Sequence, residues 1–191
     1  MRLARPLVVV LAAVILAFVA SGCDGGKSYS GTKPSTWAAS VCGALTTWRD
    51  SLQSGSQSLQ ADLQKVRELQ AVKARFIVFL QNAERSTKTM INGVRSAGAP
   101  AVKEGAAIQQ DLVTGLTRAR ASFTRAIASA QDLPAQNPQA FSRAVQKLGQ
   151  NVQKELTTTG KYLDNLEAKY DAAELNKAVS KESACKSIAP S

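Results

Sequence analysis

A chain of 191 residues without a single histidine has few ways to do acid–base chemistry at neutral pH. That absence removes the commonest general base and the commonest zinc or copper ligand. It also rules out a histidine-ligated haem, the Glu-x-x-His element of di-iron helical bundles, and any Ser-His-Asp or Cys-His site built from this chain alone. The residues that remain are weaker candidates. Ser183-Ala184-Cys185-Lys186 spaces a serine and a lysine as a Ser-Lys dyad requires, but the Ser-Asp-Asn and Lys-Thr-Gly elements that accompany such a dyad do not occur. Asp164, Glu167, Asp171 and Glu174 recur at steps of three and four. All four lie along one face of the fourth predicted helix, as a weak Ca²⁺ site or an acidic docking stripe. Calcium prefers six to eight converging oxygens from a loop, so they read as a solvated face pairing with Lys161 and Lys169. Trp37 and Trp48 stand eleven residues apart, on one helical face. They are the candidate contact for a ligand or partner, against the plainer reading of two core aromatics. We expect no catalytic residues, no metal and no cofactor.

The cysteines carry more. Arg2 and Arg5 precede an apolar run from Leu7 to Val19, which ends in Val19-Ala20-Ser21-Gly22-Cys23 and is followed by the polar Asp24-Gly25-Gly26-Lys27-Ser28. A basic start, a short apolar stretch and small residues before a cut are the anatomy of an export signal. Thirteen apolar residues fall short of the roughly 20 that cross a bilayer. With small residues directly before a cysteine, the stretch resembles the lipobox of bacterial lipoproteins. The resemblance implies that residues 1–22 are a signal peptide removed ahead of Cys23, and that the Cys23 sulfur carries a diacylglyceryl group. With Cys23 so occupied, Cys42 and Cys185 are left as a disulfide pair in an oxidising compartment, the alternative being two buried free thiols. Neither has the close partner that a metal or redox motif needs.

The elements that must position these residues are helices. Residues 23–35 are rich in glycine and serine and read as a flexible lipidated tether. From Ser35 or Thr36 onward, Trp37, Val41, Leu45, Trp48, Leu52, Leu59, Leu63 and Val66 recur at steps of three, four or seven, the period of an α-helix. Gly55 allows a kink within it. The same period predicts helices over about 36–66, 71–97, 102–132 and 138–180. The first turn lacks Gly or Pro and is placed at 66–71 only because that halves the stretch. Ala97-Gly98-Ala99-Pro100 is a helix stop with Gly98 as the left-handed cap, and Asn137-Pro138 reads as a cap followed by the first helical residue. Gly105, Gly115 and Gly160 inside these patterns point to close helix approach. Four helices of similar length with short turns predict an all-α fold, an antiparallel up-down-up-down four-helix bundle forming one domain over 36–191. In such a bundle the start of the first helix and the end of the fourth lie at one end, where Cys42 and Cys185 fall.

Residues 23–191 hold 22 Lys and Arg against 14 Asp and Glu, and the excess is concentrated between Lys65 and Lys154, with 14 basic and 5 acidic residues. The plain reading is a solvated basic surface; the sharper one is attraction to an anionic envelope surface. An exported chain without aromatic residues among its cations is a poor nucleic-acid binder. The run Trp37-Ala38-Ala39-Ser40-Val41-Cys42-Gly43-Ala44-Leu45, with Trp48 following and Ala184-Cys185 at the far end, is similar to a group of uncharacterised small helical lipoproteins of high-GC Gram-positive bacteria. This likeness implies a common helical fold with the same disulfide, and no activity. The expected function is that of a non-enzymatic binding or scaffolding module, exported and lipid-anchored to the outer face of the cytoplasmic membrane through acylated Cys23, with envelope proteins as partners. The alternatives are a carrier holding a lipid or other apolar molecule between its helices near Trp37 and Trp48 and, remotely, a serine hydrolase using a Ser-Lys dyad.

Overall fold

The computed structural model describes residues 29–187, and of Asp164 and Glu167 the backbone only. The signal-like run, Cys23 and the first part of the tether lie outside the described residues. Six helices follow in order: α1 Pro34–Lys65, α2 Leu69–Ala97, α3 Gly105–Gln131, α4 Pro138–Lys169, α5 Ala173–Lys181 and α6 Ser183–Lys186. No strand occurs among the described residues. The four long helices pack on one another in a helical bundle: α1 on α2, α2 on α3, α3 on α4, while α5 and α6 return to α1.

Local chemistry explains most of the ends. Pro34 takes the first helical position of α1, where a missing N–H costs nothing. The Asn137 side chain accepts from the Ala140 N–H at 3.0 Å and Pro138 follows it, capping α4 as the sequence predicts. Gly98 closes α2 at φ 73° and ψ −173°, backbone that is essentially reserved for glycine. Part of the expected tether is not free. Thr32 N–H donates to Ala99 O at 2.8 Å, Ala101 N–H donates to Thr32 O at 2.7 Å, and the Thr32 hydroxyl donates to Ala97 O at 2.6 Å. Gly31, at φ 141°, approaches Ala99 O so closely that a side chain would not fit.

The core falls into two clusters along the bundle. One joins Trp37, Val41 and Trp48 of α1 to Met90, Ile91 and Val94 of α2, Ile108 and Leu116 of α3, and Tyr170, Ala172 and Leu175. The other joins Leu80 and Ala83 of α2 to Phe123 and Ala126 of α3 and Phe141, Leu148, Val152 and Leu156 of α4. The second half of α1 has no fully buried residue after Trp48, and Leu52, Leu59 and Leu63 are only half-buried. That part of the predicted apolar face has α2 beside it and little else.

The end of helix four corrects the sequence expectation. Helix four does not run to about 180: it stops at Lys169, and Tyr170 is extended at φ −117° and ψ 123° before α5 begins at Ala173. Lys169-Tyr170-Asp171-Ala172 contains no helix breaker, so propensity cannot be the cause. Burial of Tyr170, Ala172 and Leu175 in the first cluster turns the chain back onto α1. The first turn, Val66-Arg67-Glu68, falls within the expected 66–71 and has neither Gly nor Pro. Gly55 does not interrupt α1; a Cβ there would lie 3.5 Å from the ring of Phe79 across the α1–α2 seam.

Candidate functional site

Four places could carry chemistry, and each is built by the elements just described. At the disulfide end, α5 and α6 bring Cys185 to Cys42 with their Cα atoms 5.0 Å apart, across a sequence separation of 143. Both cysteines are buried. The Thr46 hydroxyl donates to Ala184 O at 3.3 Å and the Arg49 guanidinium donates to Ser187 O at 2.6 Å, so side chains of α1 hold both flanks of the bridge. The two tryptophans lie beneath, 4% and 3% exposed. Trp37 Nε1 donates to Gly98 O and Trp48 Nε1 donates to Thr87 Oγ1, each at 2.9 Å. Indoles buried with their nitrogens bonded are core aromatics, and neither offers a ring face to an incoming ligand.

Farther along, α3 and α4 join at a carboxylate. Asp111 Oδ2 accepts from Lys169 Nζ and from Tyr170 Oη, each at 2.7 Å. The Lys169 ammonium lies 4.8 Å from the Tyr170 ring centroid, and the Arg118 guanidinium lies 4.1 Å over the ring of Tyr162. The bond from Lys169, then that from Tyr170, hold the Asp111 carboxyl below its ordinary range. Burial, and then the Asp111 charge, push the Tyr162 phenol up. Gly115 makes the seam close enough for this: a Cβ there would collide with Leu163 and crowd Tyr162. A carboxylate that stays ionised, with both donors committed, is a clamp between the two helices and has no proton to trade at neutral pH. A second clamp of the same kind pairs Arg125 with Glu155 at 2.7 Å, holding the Glu155 carboxyl low.

The third place is an open groove of about 410 Å³ between the second half of α1 and the first half of α2. Ser51, Ser54 and Ser58 line one side and Asn82, Arg85 and Ser86 the other, with Leu59, Val78 and Phe79 between them. The Asp62–Arg75 ion pair, 3.5 Å long, crosses one end. Its hydroxyls are largely turned inward: Ser51 donates to Thr47 O, Ser54 to Asp50 O and Ser86 to Ala83 O. The walls thus present few unsatisfied polar groups to a ligand.

The fourth is Ser183-x-x-Lys186. The Ser183 hydroxyl donates to Glu182 Oε1 at 3.3 Å, and the cysteine between the two residues is in the disulfide. A serine hydrogen-bonded to a carboxylate rather than to a lysine amine is not assembled as a dyad. The acidic row is also divided. Asp164 and Glu167 belong to α4, where their side chains lie outside the described residues, whereas Asp171 sits in the break and Glu174 in the first turn of α5. The expected single acidic face is therefore corrected: the break at Tyr170 separates its two halves. Among the described residues no group of three or more Cys, Asp or Glu is placed to hold a metal ion, and no helix is long and apolar enough to cross a membrane.

The Asp111 clamp is the arrangement that sequence reasoning passed over. Its signal was a carboxylate directly before Leu112, beside the inward stripe of α3, with two of the chain's three tyrosines on the facing segment. Comparison with protein-family models, with curated proteins and with solved structures gives no match for this chain.

Proposed function

We propose that this chain is a lipid-anchored module of the bacterial cell envelope, exported and held at the outer face of the cytoplasmic membrane by acylated Cys23, and acting by binding or scaffolding rather than by catalysis. The observation that carries this reading is the Cys42–Cys185 disulfide. It fits an oxidising compartment, and it uses two of the three cysteines, leaving Cys23, directly behind the apolar run and its small residues, as the one available to lipid. The functional elements are then the anchor, a cross-linked helical body and its surface.

An up-down-up-down arrangement of the long helices belongs to the same proposal. Ala44, early in α1, meets Gly93, late in α2; Lys73, at the start of α2, donates to Leu133 O beyond the end of α3; and Gly115, in the first half of α3, meets Leu163, late in α4. Each contact supports antiparallel neighbours. Intact-mass and peptide analysis of the protein extracted from the membranes of a bacterial host tests the anchor. The expected result is a chain beginning at Cys23 with a thioether-linked diacylglyceryl group. A mature chain that begins elsewhere, or a Cys23 without lipid, overturns the reading.

A further inference from the structure

The solvent side of α4 is a line of cations. With 3.6 residues per turn, Arg143, Lys147, Lys154 and Lys161 fall within about 40° of one another around the helix axis. All four are exposed, and they lie opposite the buried Phe141, Leu148, Val152, Leu156 and Leu163. Between them the face carries only uncharged side chains such as Gln150, Thr157 and Thr158. The one carboxylate between Pro138 and Leu163 is Glu155, off the line and already bonded to Arg125 at 3.1 and 2.7 Å. Arg143, Lys147 and Lys154 form no ion pair among the described side chains; Asp164, three residues past Lys161, has its side chain outside them. Arg143 and Lys147, one turn apart, repel each other, and an anionic surface would relieve that repulsion.

We propose that this face of α4 is a docking surface for an anionic phospholipid bilayer. The line spans about 27 Å, at 1.5 Å per residue, and it is straight. Flexible basic side chains on such a line suit a planar array of phosphates. The face has no aromatic side chain on which a nucleic-acid base could stack, and none of the buried aromatic or arginine anchors that protein interfaces concentrate their energy in. The orientation rests on the anchor reading. Tyr170, nine residues past Lys161, shares a core cluster with Trp37 near the start of α1, so the Lys161 end of the line lies at the end from which the chain runs back toward Cys23. The nine residues from Cys23 to Gly31 can reach about 30 Å when extended, enough for the body to lie on its side with α4 against the lipid.

The test is flotation and amine-reactive labelling of the full chain with vesicles of phosphatidylcholine alone or mixed with phosphatidylglycerol, read by peptide mass spectrometry. The expected result is slower labelling of Lys147 and Lys154 on the mixed vesicles only, with exposed Lys88 and Lys177 unchanged and the protection lost at high salt. The triple variant Arg143→Gln, Lys147→Gln, Lys154→Gln removes charge without touching the core. With each basic residue near the surface worth about a fivefold gain in partitioning, it should lower the electrostatic part of binding about a hundredfold. Flotation with both kinds of vesicle but no selective protection overturns the docking face and leaves the anchor standing. Flotation with the mixed vesicles alone, lost in the triple variant, supports the docking face and overturns the anchor. No flotation with either, or protection by a soluble polyanion such as polyphosphate and not by vesicles, overturns the docking face.

Discussion

Thr87 is completely buried in the middle of α2, and its hydroxyl does two things: it accepts from Trp48 Nε1 at 2.9 Å and donates to Ala83 O at 2.7 Å. Thr87→Val keeps the shape of the side chain, so it opens no cavity and removes only these two bonds. The Ala83 carbonyl sits inside α2 and can keep its helical partner. The indole N–H, in a side chain only 3% exposed, has nowhere else to turn. A buried donor left unsatisfied costs about 1–3 kcal/mol. At about 2–4 °C per kcal/mol for a domain of this size, the melting temperature should fall by about 2–12 °C. Urea unfolding followed by far-ultraviolet circular dichroism measures the cost without relying on tryptophan emission. The decisive comparison is made in a Trp48→Phe background, which has no N–H to strand. There Thr87→Val should cost almost nothing, and the coupling between the two positions should return most of the single-variant loss. A Thr87→Val cost below about 0.5 kcal/mol, or the same cost in both backgrounds, would refute the assignment of this bond as a buried strut between α1 and α2.

Reducing the Cys42–Cys185 bridge opens a loop of 143 positions. In the chain-entropy account this removes about 5 kcal/mol, a large share of the roughly 5–15 kcal/mol that folded domains possess, so the denaturation midpoint should collapse in reductant. Two glycines in helix interiors should respond with opposite signs to alanine. Gly149 has open space where a Cβ would go, so Gly149→Ala should stabilise by about 1 kcal/mol through helix propensity. Gly115 is pressed against Leu163, so Gly115→Ala should destabilise, with overpacking of about 1–3 kcal/mol outweighing the same propensity gain; thermal melts of the two variants side by side check both signs. Asp111 has a folded pKa below its unfolded value, chiefly through Lys169. Its contribution is therefore complete above the unfolded pKa near 4 and is lost as pH falls through the folded value. Melting curves of wild type and Asp111→Asn should be well separated at neutral pH and converge in acid; a constant gap across that range would show that the carboxylate's charge is not what joins α3 to α4.

The parts of this fold that were legible in the sequence are those whose cause is local. Asn137-Pro138 and Gly98 mark helix ends by their own backbone chemistry, and both ends lie where the residues put them. Cys42 and Cys185 could be paired from the sequence because the lipobox resemblance assigns Cys23 to lipid and leaves two cysteines, and the bridge is there. The parts that were not legible have causes far away in the chain. Nothing in Lys169-Tyr170-Asp171-Ala172 announces a break, because the break is set by what Tyr170 and Leu175 meet on other helices. Thr32 looks like linker until the turn after α2 supplies it with three hydrogen bonds. The same logic separates the two tryptophans from the line of cations. Trp37 and Trp48 drew attention as residue types, yet their partners Gly98 and Thr87 lie more than thirty-five positions away and close them off. Arg143, Lys147, Lys154 and Lys161 were lost in a general basic excess until the helix was fixed in phase. Once Phe141, Leu148 and Val152 point into the core, the four cations have one direction left, and among the described side chains the acid on that stretch of α4, Glu155, is held by Arg125. On α4 the outside is positively charged along most of the helix, and that is the face on which the proposed docking rests.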